Sequence, residues 1–148
     1  MRIVVQRCKY AKCTVDNEIK GSIDKGFLLF IGFTESDTIN ELDLLLRKTI
    51  GLRIFEDENG KMNRSLKDVN GEILAISQFT LYADCKHGNR PSFTSAMKYD
   101  KANEYYELFC KKLEENNIHV ERGVFGSDMK IELLNDGPVT IILDSDEL

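Results

Sequence analysis

Short apolar runs broken by polar turn signals dominate the chain, and only two stretches carry apolar residues at helical spacing. Arg2–Lys9 and Lys12–Asp16 read as strands, with Glu18–Ile23 as a third after a turn at Asp16-Asn17. Gly26–Phe33 is a continuous apolar run, too short for a typical helix and better read as a core strand. Thr38-Ile39-Asn40-Glu41 forms a capping box, and behind it Ile39, Leu42, Leu45, Leu46 and Thr49 recur on one helical face as far as Gly51. The polar segment 56–70 predicts a short hairpin, and Ile73–Tyr82 a buried strand. Asp100 is the expected cap of a second helix whose stripe is Ala102, Tyr106, Phe109 and Leu113, closed by Asn116-Asn117. Three final strands are expected near His119–Arg122, Lys130–Leu134 and Val139–Asp144. Two helices against many strands adjacent in sequence indicate an α+β fold: one domain, residues 1–148, with a largely antiparallel, barrel-like curved sheet.

Composition narrows this picture without changing it. At 148 residues, 42% hydrophobic and 30% charged, the chain suits a single globular domain. No apolar run approaches the ~20 residues of a membrane span, and the start reads as a first strand rather than a leader, so a cytoplasmic protein with no membrane partner is expected. A net charge of −5 argues against broad electrostatic binding to nucleic acid, which wants a basic face. Lys86, His87 and Arg90 nonetheless form a local basic cluster in a loop containing Gly, Asn and Pro. Cys8, Cys13, Cys85 and Cys110 show no paired spacing, and with only two histidines no metal site is expected.

The end of the buried strand carries the chemistry. Ser77, Gln78, Phe79 and Thr80 place a hydroxyl, an amide, a ring and a second hydroxyl where the apolar run stops. Polar groups are costly inside a two-sided strand, about 1–3 kcal/mol when unpartnered, so they point to an open end. Neither Ser77 nor Thr80 has a nucleophile elbow or a triad histidine in its neighbourhood. Main-chain N–H groups, a bound water or the substrate itself would have to contribute to any hydrolysis. Gly137-Pro138 reads locally as a turn, and Phe125, Gly126 and Met129 as either core or the lining of a flat apolar pocket.

Taken together, four ordered motifs closely resemble the D-aminoacyl-tRNA deacylases of bacterial and eukaryotic type. They are Ser77–Leu81, Gly88–Phe93, Gly123–Met129 and Asn135–Thr140, and the resemblance covers essentially the whole chain. It implies a cofactor-free homodimer that hydrolyses the ester between a D-amino acid and the terminal adenosine of tRNA, and glycyl-tRNA as well. Ser77, Gln78, Phe79 and Thr80 would line the ester with main-chain N–H groups facing its carbonyl. Phe125 and Met129 would sit near the adenine. Gly137 and Pro138, joined by a cis bond, would enter the partner's site and leave no room for an L side chain. Lys86, His87 and Arg90 would contact tRNA, although Lys86-His87 is less basic than the family pattern. The resemblance leaves Thr80 as either nucleophile or lining, with lining favoured.

Two alternatives belong beside this reading. One is the related deacylase that clears L-alanine from a wrong tRNA; that relative replaces the serine and phenylalanine of the first motif, so Ser77 and Phe79 point away from it. The other is a non-catalytic nucleic-acid-binding module, which the acidic balance disfavours.

Overall fold

A computed structural model describes all residues, Met1–Leu148. Eight strands, two helices and two 3-10 turns follow one another as β1 (Arg2–Val15), β2 (Glu18–Ile23), β3 (Gly26–Gly32), α1 (Ile39–Gly51), β4 (Phe55–Glu56), β5 (Met62–Arg64), a 3-10 turn Lys67–Val69, β6 (Glu72–Ser77), a second 3-10 turn Phe79–Tyr82, α2 (Tyr99–Glu115), β7 (Val120–Arg122) and β8 (Lys130–Asp144). The main sheet runs β2-β1-β3-β6-β7, with β8 also paired to β1. At Gly21 and Arg122 the outer strands β2 and β7 come so close that a side-chain carbon on Gly21 would stand 2.8 Å from the Arg122 carbonyl oxygen, nearly closing the sheet into a barrel. No helix is long and apolar enough to cross a membrane.

The α+β fold in one domain holds, and the sheet proves to be mixed. β1 pairs antiparallel with β2, β3 and β8, whereas β3–β6 and β6–β7 are parallel. Parallel neighbours need a crossover, and α1 with the β4–β5 hairpin supplies the first, α2 the second. Parallel strands share their carboxyl ends, so β3, β6 and β7 all open toward one end of the sheet.

Alternate residues of β6 face two cores. Ile73 and Ala75 join the larger one, under Leu42, Leu45 and Phe109 of the helices, while Leu74 and Ile76 join a smaller one inside the curved sheet with Cys8, Cys13 and Leu28. The capping box forms as read: the Thr38 N–H donates to Glu41 Oε2 at 2.7 Å and the Asn40 N–H to Thr38 Oγ1 at 3.2 Å.

Several boundaries differ from the sequence reading. The two expected N-terminal strands are one, β1, which changes partners at exposed Lys9 and Tyr10: residues up to Cys8 pair with β3, those from Ala11 with β2. The second helix begins at Tyr99, with Lys98 rather than Asp100 as its cap, and the Lys98 N–H donates to Glu35 Oε1 at 2.7 Å. A carboxylate from the loop after β3 thus takes the place expected of Asp100. The strand expected over 73–82 stops at Ser77 and gives way to the 3-10 turn. The last two expected strands are also one, β8, interrupted by a bulge. Between the pairs Gln6–Thr140 and Cys8–Asn135, only Arg7 of β1 stands opposite Asp136, Gly137, Pro138 and Val139.

Candidate active site

A cleft of about 590 Å³ opens where the carboxyl ends of β3, β6 and β7 meet, the position where ligands settle on parallel sheets. One wall continues β3 through Ile31, Gly32 and Phe33, and another continues β6 through Ile76, Ser77, Gln78 and Phe79. Phe93, Met97 and Tyr99 close it on the side of α2, and Phe125, Gly126 and Met129 come from the loop between β7 and β8. Of the residues singled out in the sequence, Ser77, Gln78, Phe79, Phe125 and Met129 therefore meet in one cavity. Phe93, Met97 and Tyr99 were missed as site residues: Met97 and Tyr99 lie outside the motifs, Phe93 only closes one, and an apolar or aromatic residue looks the same in the sequence whether it fills a core or a cleft.

The turn after β6 fixes the polar groups. The Gln78 N–H still pairs with Ile31 at 2.8 Å, but Phe79–Tyr82 then wind into a 3-10 turn. Its first amides, on Phe79 and Thr80, have no acceptor within the turn. The turn is braced from β1: Arg2 donates to the Leu81 carbonyl at 3.0 Å, lies over the Tyr82 ring at 4.6 Å, and is itself held by Asp144 at 2.6 Å. The Thr80 side chain does not line the cleft. Its hydroxyl accepts from the Gln78 side-chain amide, a group that cannot take up a proton.

No histidine, cysteine or basic side chain lines the cleft, and its one carboxylate, Asp128, is exposed and paired with Lys130 at 2.9 Å. The thiols offer no substitute. Burial pushes Cys8 up to about 11 and Cys110 up to about 12, and raises Cys13 as well, so all three are neutral thiols at neutral pH. Cys85 alone is exposed. Iodoacetamide on the native protein should accordingly label Cys85 and leave the other three intact, as read by peptide mass spectrometry. Rapid labelling of Cys8 or Cys110 would contradict this burial.

Gly137 and Pro138 do not line this cleft. They lie exposed at the tip of the β8 bulge, joined by a cis bond, with Gly137 at φ +139°. Asn135 closes the base of the bulge by accepting from the Val139 N–H at 2.8 Å and donating to Thr140 Oγ1 at 3.1 Å. Buried Arg7 holds it from below, donating to the Asp136 carbonyl at 2.9 Å, the Ile54 carbonyl at 2.6 Å and Glu56 at 3.1 Å. Lys86, His87 and Arg90 are exposed in a loop clasped by Asp84 and Ser92, whose main chains exchange hydrogen bonds of 2.7 and 2.9 Å; Phe93, next in sequence, lines the cleft.

This arrangement has close counterparts. A family model described as D-Tyr-tRNA(Tyr) deacylase matches residues 4–144. A "D-aminoacyl-tRNA deacylase" of Lactobacillus gasseri is 54% identical, over 97% of this chain and 99% of its own length. One from Thermus aquaticus is also 54% identical, over 99% of this chain and 97% of its own. Among solved structures, the c-Myc DNA Unwinding Element Binding Protein superposes with a TM-score of 0.92 at 39% identity, covering 97% of this chain and 98% of that one. A probable eukaryotic D-amino acid tRNA deacylase shares the fold, with a TM-score of 0.78 at 17% identity. With a family match spanning almost the whole chain and near-full-length relatives, the chain belongs to the D-Tyr-tRNA(Tyr) deacylase family.

Proposed function

We propose that the chain hydrolyses the ester of D-aminoacyl-tRNA with the cleft at Ser77–Thr80 as its reaction site. The observation that carries this reading is a cleft lined by no histidine, cysteine or basic side chain, where β6 gives way at Ser77, Gln78 and Phe79 to a 3-10 turn whose first amides lack an acceptor. The free amides of Phe79 and Thr80 would receive the ester oxygen as it gains charge, an effect worth about 3–4 kcal/mol for a well-placed donor. Water would be the nucleophile, and the adjacent 2′-OH of the terminal adenosine would help to position or activate it. Phe125 and Met129 offer flat apolar contact for the adenine.

Chiral selection belongs to the exposed Gly137-Pro138 bulge acting from a partner subunit. The face beside it favours a dimer. Ile142, 69% exposed, pairs across the sheet with Val4, which pairs in turn with Phe30, and Leu134 is 48% exposed on the same strand, β8. A main-chain wall would reject one chirality whatever the side chain. Glycine has nothing to clash, so glycyl-tRNA should be hydrolysed too, more slowly. Lys86, His87 and Arg90 stand ready for the phosphates of a tRNA end. The acidic balance disfavours duplex DNA, whatever the structural likeness to an unwinding-element binding protein.

The test is hydrolysis of matched D- and L-tyrosyl-tRNA by purified protein, with dilution to reveal dependence on a dimer. Comparable rates on both esters would sink the reading. Thr80→Ala should slow the reaction yet leave it far above background, since the peptide amide remains. A covalent aminoacyl adduct on Thr80, trapped by acid quench and seen by mass spectrometry, would make the hydroxyl the nucleophile instead.

A further inference from the structure

Four aromatic rings stand in the cleft wall as two edge-to-face pairs. Phe79 meets Phe93 with centroids 5.1 Å apart and planes at 74°, and Tyr99 meets Phe125 at 5.0 Å and 80°. Phe125 is fixed from within by Tyr106, at 5.8 Å, whose buried hydroxyl donates to the Ala75 carbonyl at 2.8 Å. Tyr99 is the outer ring of this stack and is 61% exposed.

A lone exposed aromatic needs no explanation. Tyr99 differs because it is both exposed and pinned. It sits at the first position of α2, its ring meets Phe125 at a steep angle, and it passes so close over Gly126 that a methyl there would stand 2.5 Å from its hydroxyl oxygen. A ring already held in one place loses little conformational freedom when something stacks on it. It also adjoins Phe125, so a ligand filling the cleft would continue toward it.

We propose that Tyr99 is the docking ring for a second nucleotide of the substrate. The base that precedes the terminal adenosine stacks on Tyr99, while the adenosine itself occupies the pocket at Phe125 and Met129. This rests on the deacylase reading and extends it: the protein grips at least two nucleotides of the single-stranded 3′ end. Unpaired RNA bases are held in this way on exposed aromatic rings, with little regard to which base is present. Stacking is uncharged, which suits a chain whose net charge of −5 gives phosphates little general attraction.

Three D-tyrosyl esters separate the possibilities: the full tRNA, the dinucleotide cytidylyl-adenosine, and adenosine alone. Tyr99→Ala should raise KM for the tRNA and the dinucleotide at least about fivefold. The kcat should stay within about twofold, and KM for the adenosine ester, whose base meets the Phe125 ring that Tyr99 braces, should rise clearly less than for the two longer esters. Tyr99→Phe, which keeps the ring, should behave as the unaltered protein on all three, and matched melting temperatures would exclude misfolding. An equal rise on the adenosine ester would overturn the proposal by placing Tyr99 in the pocket of the terminal residue. Unchanged KM on all three would overturn it too, leaving an exposed ring with no ligand. Failure of the deacylase reading looks different: the unaltered protein would hydrolyse none of the esters, and both proposals would fall together.

Discussion

Gly32→Ala is expected to leave a folded protein that has lost most of its deacylase activity. Gly32 ends β3 beneath the 3-10 turn, where a side-chain carbon would stand 2.8 Å from the Gln78 carbonyl oxygen and 3.1 Å from Leu81 Cβ. β3 cannot retreat, because it is paired on one side with β1 and on the other with β6. The turn must yield instead, carrying the amides of Phe79 and Thr80 with it. Overpacking of this kind costs about 1–3 kcal/mol, a few degrees of melting temperature for each kcal/mol in a domain of this size. Loss of alignment at a main-chain donor costs far more in rate, on the order of 10²–10³ in kcat. Melting and single-turnover hydrolysis of D-tyrosyl-tRNA should be measured together. A stable Gly32→Ala protein with unimpaired kcat would show that the turn does not stabilise the reacting ester.

Arg7→Ala should damage stability and selectivity at once. Arg7 is 3% exposed, and its guanidinium satisfies the Ile54 and Asp136 carbonyls, besides meeting Glu56. Truncation strands two acceptors, each costing about 1–3 kcal/mol if water does not reach it. The melting temperature should fall by roughly 10 °C. Lysine should not rescue it, since a single ammonium cannot span acceptors that the planar fork of arginine reaches in different directions. The bulge that presents Gly137-Pro138 would lose its support, so the D-over-L rate ratio should drop more than the D rate alone. An Arg7→Ala protein with unchanged melting and unchanged ratio would mean that the bulge holds its shape without this side chain.

Local signals in the sequence described faces and ends, and they served well where one element decides its own form. The capping box at Thr38 and Glu41, the stripe from Leu42 to Thr49 and the apolar run of β3 all form as read. What they could not carry was the choice of partner. Nothing in Arg2–Val15 announces that one strand pairs with β3 over its first half and β2 over its second, because pairing depends on residues far away in sequence. The parallel run β3–β6–β7, which brings three carboxyl ends together and so makes the cleft, was hidden for the same reason. In the site, Ser77 and Gln78 stood out as polar groups at a strand end with the Phe79 ring beside them, and motif likeness chose pocket lining over core for Phe125 and Met129. The wall from Met97 to Tyr99 stayed invisible, since apolar residues facing a substrate look like apolar residues facing a core. Gly137 and Pro138 stand apart from the cleft of their own chain, which their local sequence reads only as a turn and which motif likeness alone anticipated.

The two amides that open the 3-10 turn belong to the peptide bond, and every amino acid except proline carries one. Exchanging side chains at positions 79 and 80 therefore reshapes the surroundings of these donors without deleting them. A systematic alanine survey would record the positions as mildly sensitive and overlook what they supply. Replacing the Phe79 or Thr80 amide by an ester through total synthesis would remove a single N–H and keep every side chain. If these donors meet the reacting ester as proposed, every genetic substitution short of proline adjusts them only indirectly, and the instrument that reads them is chemistry performed on the main chain.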